Sequence, residues 1–409
     1  MSQDTDTIAR YERFRQADPG NAELRLALGD LYHRAGRLDE ALATFREGLA
    51  VNERVTALRS REASVLISLH RFAEAEASLR PLVQADPGNA SLQHNLGLTL
   101  YHQHQFEAAR EAFDAARANG GTEVEPETWA HLAYSSHQVG DMAQARSAAT
   151  RWAELAPSGR AEGYLSLVEL DCLDYAGAYQ RARETLKTAP DNVDANVVSG
   201  VEALELQEME RADAHYTRAS TLEPDNPRAW VGVALVRLYR EEHARAIEAF
   251  ERALALAPRD TGTLVALGWT HFALKDYPAA EAVFRRAVAL ERNFGEAHGG
   301  LASALVMQNR RDEARATIAV ARRLAPTGFG HIYAKAVLLG LEGKQELGAK
   351  LVDRAIEQPS RPGLPSLLDQ ARVFMSRRQL PLPLPPHVAD LFKPRGIPAP
   401  GLKDDSTRP

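Results

Sequence analysis

Gln16-Ala17-Asp18-Pro19-Gly20-Asn21 recurs letter for letter as Gln84-Ala85-Asp86-Pro87-Gly88-Asn89, and the two copies start 68 residues apart, twice 34. A fixed period of that length marks an array of stacked units rather than a single enzyme core. Related punctuation returns at Ala156-Pro157, Ala189-Pro190-Asp191-Asn192, Glu223-Pro224-Asp225-Asn226, Ala257-Pro258-Arg259-Asp260 and Ala325-Pro326. Proline cannot continue a helix and restricts the residue before it. Each site therefore reads as a helix stop, with Asp or Asn placed to cap the next helix.

Alanines at the start of the second helix of each unit set the register: Ala41, Ala75, Ala109, Ala145, Ala178, Ala212, Ala246, Ala280 and Ala314. Twelve residues before them lie Gly29, Ala63, Gly97, Ala133, Ser166, Gly200, Ala234, Gly268 and Ala302, all small. Four residues after them come Phe45, Leu79, Phe113, Ala149, Ala182, Tyr216, Phe250, Phe284 and Ile318, mostly large and apolar. Small residues let two helices approach, and the bulky residue fills the space between neighbouring hairpins. One unit is a helix, a short turn and a second helix, whose apolar stripe is buried only by stacking.

This pattern resembles the tetratricopeptide repeat family. Trp230, Ala234, Ala246, Phe250, Ala253 and Pro258 match its motif in one unit, Leu267, Gly268, Ala280, Phe284 and Ala287 in the next, and Leu28, Gly29, Tyr32, Ala41 and Phe45 near the N-terminus. The resemblance implies an all-α, right-handed superhelical α-solenoid of about nine to ten helix-turn-helix repeats with a C-terminal capping helix. The division expected is a half-repeat at 1–21, an array at 22–158, a degenerate repeat and possible hinge at 159–191, more array at 192–360, a capping helix at 361–380 and a proline-rich tail at 381–409. The degenerate stretch lacks the Leu-Gly pair; ahead of it Trp152 stands where the family has a small residue, and two extra residues fall near Gly120-Gly121. Ten of the 22 prolines lie between Arg361 and Pro409, and Leu380-Pro381-Leu382-Pro383-Leu384-Pro385-Pro386 favours polyproline II.

The 409 residues are 44% hydrophobic and 25% charged with a net charge of −6, which disfavours broad nucleic-acid binding. Cys172 is the single cysteine, so no internal disulfide forms. The N-terminus lacks an apolar signal core and no apolar run is long enough to span a bilayer, so the expected address is cytoplasmic. Phosphate-binding glycine loops, H-E-x-x-H, CxxC and Gly-x-Ser-x-Gly are all missing. His102 and His104, or His131 and His137, do not have the i, i+4 spacing of a helical metal pair. No catalytic residue, metal or cofactor is expected.

By the resemblance, a second stripe on each first helix lines the concave face and touches ligands. In the N-terminal half it holds Tyr101, His102, Tyr134 and His137, and in the C-terminal half Leu235, Tyr239, Val265, Trp269 and Phe272. A solvated face should not be apolar, so this stripe is expected to form a groove for a peptide or helix of a protein partner. The Lys and Asn of the family's peptide-carboxylate site are replaced here by Leu26 and Asp30, Ser60 and Ser64, His94 and Leu98. The function expected is a non-enzymatic interaction scaffold, as a bacterial assembly or secretion factor or a chaperone. The alternative is an accessory array for an enzyme on a separate chain, such as a glycosyltransferase.

Overall fold

The computed structural model describes residues 2–52, 55–120 and 124–356. Among them the secondary structure is helical without strands. After α1 (Ser2–Ala17) come ten hairpins: α2 (Ala22–Arg34) with α3 (Leu38–Val51), α4 (Thr56–Ser68) with α5 (Phe72–Ala85), α6 (Ala90–His102) with α7 (Phe106–Asn119), α8 (Pro126–Gln138) with α9 (Met142–Leu155), and α10 (Gly159–Asp171) with α11 (Tyr175–Thr188). They continue as α12 (Val193–Glu205) with α13 (Met209–Leu222), α14 (Pro227–Tyr239) with α15 (His243–Leu256), α16 (Thr261–Ala273) with α17 (Tyr277–Leu290), α18 (Gly295–Met307) with α19 (Arg311–Leu324), and α20 (Phe329–Leu341) with α21 (Gln345–Ile356). The chain is an α-solenoid of helix-turn-helix repeats. It divides into two compact units, Met1–Val198 and Ser199–Pro409. The expected capping helix at 361–380 and the tail at 381–409 lie outside the described residues.

The punctuation read from the sequence is the N-cap of the first helix of a pair. Asn21 accepts from the Leu24 amide at 2.9 Å, Asn89 from Leu92 at 3.1 Å, Asn192 from Ala195 at 2.8 Å and Asp260 from Thr263 at 3.2 Å. Asn21 and Asn89 also donate to Asp18 and Asp86, which accounts for the Asp-Pro-Gly-Asn spacing of the duplicated hexapeptide. One capping bond of this kind is worth ~1 kcal/mol.

The packing follows the expected small–large pairing. Phe45, Phe113, Phe250 and Phe284 are fully buried. Phe284 is pinched between its own repeat and the next: a Cβ on Gly268 would come within 2.6 Å of its ring, and one on Gly300 within 2.2 Å. Where the fourth repeat has only Ala149 at this position, Trp152 supplies the bulk three residues later and is 4% exposed. The link from α7 to α8 is also two residues longer than the four-residue link between α15 and α16.

The turn inside every hairpin carries a device that composition hides. Residues with positive φ fall at Gly36, His70, His104, Gly140, Leu173, Gln207, Glu241, Lys275, Asn309 and Gly343, one per described hairpin. Each lets the next amide reach back to the carbonyl five residues earlier, as in Arg37 to Tyr32 at 2.9 Å and Asp174 to Glu169 at 2.9 Å. This left-handed closure of a helix suits glycine, yet seven of the ten positions hold side chains. Leu173 is 70% exposed at such a site, so its replacement removes strain without removing packing. Leu173→Gly is expected to raise stability by up to ~1 kcal/mol, measured by chemical denaturation of the full chain.

Candidate functional site

The first helices of successive hairpins present one face to a neighbouring second helix and another to the inside of the array. Within Met1–Val198 the inner face is a run of ring contacts. Tyr101 on α6 meets His131 on α8 at 6.4 Å, His131 meets Tyr134 at 6.1 Å, and Tyr134 meets Tyr164 on α10 edge-on at 4.4 Å. His94 lies 5.8 Å from His131 and bonds Thr128 Oγ1 through Nδ1 at 2.9 Å. Arg160 reaches over both Tyr134 and Trp152. Of the residues expected here, Tyr101 and Tyr134 join this run. His102 turns to the preceding hairpin and stacks on Phe72 at 4.6 Å with an interplanar angle of 8°.

His137 has a different position from the one its stripe suggests. Its Nδ1 lies 2.9 Å from the Tyr164 hydroxyl and its Nε2 2.7 Å from Asp171 Oδ2. Both ring nitrogens are therefore used inside the protein, and the side chain is 10% exposed. A tyrosine, histidine and carboxylate in hydrogen-bonded sequence has the outline of an activated nucleophile. Tyr164, however, is 6% exposed and wedged against Tyr134, so the trio ties α8 to α10 across one repeat.

Within Ser199–Pro409 the inner face is apolar. Leu235 packs on the core around Phe250, Trp269 and Phe272 pack on the core around Phe284, and Val265 touches both. Trp269 lies edge-on to Phe272 at 5.3 Å and to Phe284 at 5.4 Å. Tyr239 belongs to neither core and is 36% exposed. Phe272 also meets Tyr333 of α20 at 5.7 Å, two repeats on. That reach is possible because α18 and α20 cross backbone to backbone. A Cβ on Gly330 would fall 2.6 Å from the Gly299 carbonyl carbon, and Ser303 Oγ donates to the Gly330 carbonyl at 3.0 Å. The inner side of α18 is thereby filled by the protein itself, and Val306 is 2% exposed. Tyr333 and the contributions of Trp152, Arg160 and Tyr164 escape a reading by strict period. The neighbouring small residues Gly299, Gly300 and Gly330 were the available signal.

Tetratricopeptide repeat models match residues 5–61, 60–124, 94–160, 225–293 and 271–336. The chain belongs to the tetratricopeptide repeat family. Its repeats are those of a protein-interaction scaffold, and no described helix is long and apolar enough to cross a membrane. Among solved structures it is similar to the APC/C hetero-tetramer Cut9-Hcn1, with 14% identity over 96% of this chain and 93% of that chain and a TM-score of 0.47. It is also similar to yeast Tom70, with 15% identity over 92% and 91% and a TM-score of 0.37. A third is YrrB, described as a TPR protein with an unusual peptide-binding site, with 22% identity over 49% of this chain and 98% of that chain and a TM-score of 0.34. No curated protein matches the sequence.

The two inner faces of the repeat array differ in electrostatics. Burial, and secondarily the nearby His131, lowers His94 to about 4. Burial also lowers His131 and His102, and raises the Tyr101 and Tyr134 hydroxyls. At neutral pH this face therefore presents uncharged rings with hydroxyl and imidazole groups. A cavity of about 580 Å³ beside α10 and α11 is lined by Arg181, whose guanidinium already bonds Glu162 and Glu169.

The His94 shift carries a pH dependence. An unfolded histidine titrates near ~6.5, so between that pH and about 4 the unfolded chain binds a proton that the native chain refuses. Stability thus falls as pH falls through this window and levels off below it, with His94 alone costing about 2 kcal/mol at pH ~5. His94→Gln is expected to lessen the drop in melting temperature between neutral pH and pH ~5, read by thermal circular dichroism. An unchanged drop would assign the acid sensitivity to other groups.

Proposed function

We propose that the chain is a non-enzymatic scaffold whose inner faces hold a peptide or helical segment of a partner protein. The observation that supports this most is the apolar stripe on α14 and α16. There Leu235, Val265, Trp269 and Phe272 are half-buried and Tyr239 is exposed, on a face that packing leaves open. Partly exposed aromatic and aliphatic side chains in a row supply contact area at low ordering cost, the usual make-up of binding anchors. In Met1–Val198, Tyr101, His102 and Tyr134 offer groups that are apolar in body and polar at the tip. His137 serves them indirectly, by holding Tyr164 against Tyr134.

The partner's identity separates an assembly factor or chaperone from an accessory array for an enzyme on another chain. Co-purification from the native host, with mass spectrometry of what is retained, distinguishes the two. Trp269 is the side chain to test. It rests edge-on against Phe284 without being enclosed, so Trp269→Ala is expected to cost ~1–2 kcal/mol of stability. Capture of the co-purified partner should weaken by roughly tenfold or more, equivalent to ~1.4 kcal/mol or above. A stability loss of ~3–5 kcal/mol, or full capture by a folded variant, would make Trp269 a packing residue only.

A further inference from the structure

The inner face of Met1–Val198 carries an arginine whose charge the protein leaves unanswered. Arg160, exposed in the first turn of α10, has its guanidinium carbon 5.8 Å from the Tyr134 ring centre and 5.4 Å from that of Trp152. Both rings are held in place: Trp152 is 4% exposed, and Tyr134 lies edge-on to Trp152 at 5.8 Å and to Tyr164 at 4.4 Å. Rings so fixed also fix the cation above them. Two other stacked arginines spend their charge internally. Arg37 over Tyr32 bonds Glu40, and Arg117 over Trp129 bonds Asp114 at 2.9 Å. Among the described residues Arg160 has no such carboxylate.

Arg160 spends one donor on the Tyr134 hydroxyl, and its remaining N–H groups can meet a carboxylate, which a guanidinium binds in two-point geometry. Beside it the Tyr134 hydroxyl, kept protonated by burial, is a second donor. His131 adds no charge of its own at neutral pH, because burial lowers it. We propose that Arg160 and Tyr134 form a carboxylate-recognition subsite for an Asp or Glu side chain of the bound segment, which rests on the reading of the inner faces as a partner-binding surface. The exposed position of Arg160 leaves room for a chain that continues past it, so the occupant is a side chain rather than a chain terminus.

The test uses the labelled full-length protein on arrays of random peptides, acetylated and amidated so that side chains supply every carboxylate. Captured sequences should be enriched in Asp and Glu, and capture of these should fall with added salt. Arg160→Ala should lose at least tenfold binding to the acidic peptides with an unchanged melting temperature. Analogues with Asn or Gln in place of the acid should bind the variant and the unaltered protein alike. Arg160→Lys keeps the charge without the planar fork and should recover less than half of the loss. Captured peptides without acidic preference, or acidic binding unaffected by Arg160→Ala, would overturn the subsite and leave the groove standing. Binding that requires a free C-terminal carboxylate would also overturn it. Capture of no peptide by the unaltered protein would overturn both readings.

Discussion

The array depends on a pinch between one large and two small side chains. Phe284 has no solvent exposure because Gly268 of its own hairpin and Gly300 of the next allow their helices to close on its ring. Tyr216 stands likewise between Gly200 and Gly232. Each such contact buries an aromatic ring and sets the spacing of the next hairpin at once, so packing and propagation of the fold are one event. Bulk can migrate if the space is still filled. In the fourth repeat Trp152 replaces what Ala149 lacks, and the helices on either side remain regular.

Once the pinch fixes one face of each first helix, the remaining inner face is free to vary, and it varies in two directions. In Met1–Val198 it carries tyrosines and histidines in ring contact, with His137 hydrogen-bonded to Tyr164 and Asp171. In Ser199–Pro409 it is aliphatic and aromatic, then closed by the Gly299–Gly330 crossing, where the absence of Cβ atoms admits direct backbone contact. A buried polar network demands that each member find its partner, whereas an apolar stripe needs only shape.

The hairpin register, the caps and the core were legible in the residues. The Asp-Pro-Gly-Asn punctuation marks the N-caps, and the anchors with their small and bulky neighbours pick out Gly29, Phe45, Gly268 and Phe284. These features are local or repeat at fixed intervals, so a single chain displays them. The left-handed turn residues were not legible, because backbone closure imposes that conformation on Leu173 and Lys275 as firmly as on Gly140.

For the candidate site, the sequence by itself determined which residues lie on the inner stripe, since helical periodicity assigns Tyr101, Tyr134, Leu235 and Trp269 to one side of their helices. Only the tertiary structure decided which of them remain available. His137 is consumed by two internal bonds and Val306 is 2% exposed, whereas His102 stacks on Phe72 and stays exposed. Arg160 gained its place from Trp152 and Tyr134, which come from two other helices. Periodicity reports the direction in which a side chain leaves its own helix, but availability depends on what the neighbouring helices bring to the same point, and that is set by packing between repeats.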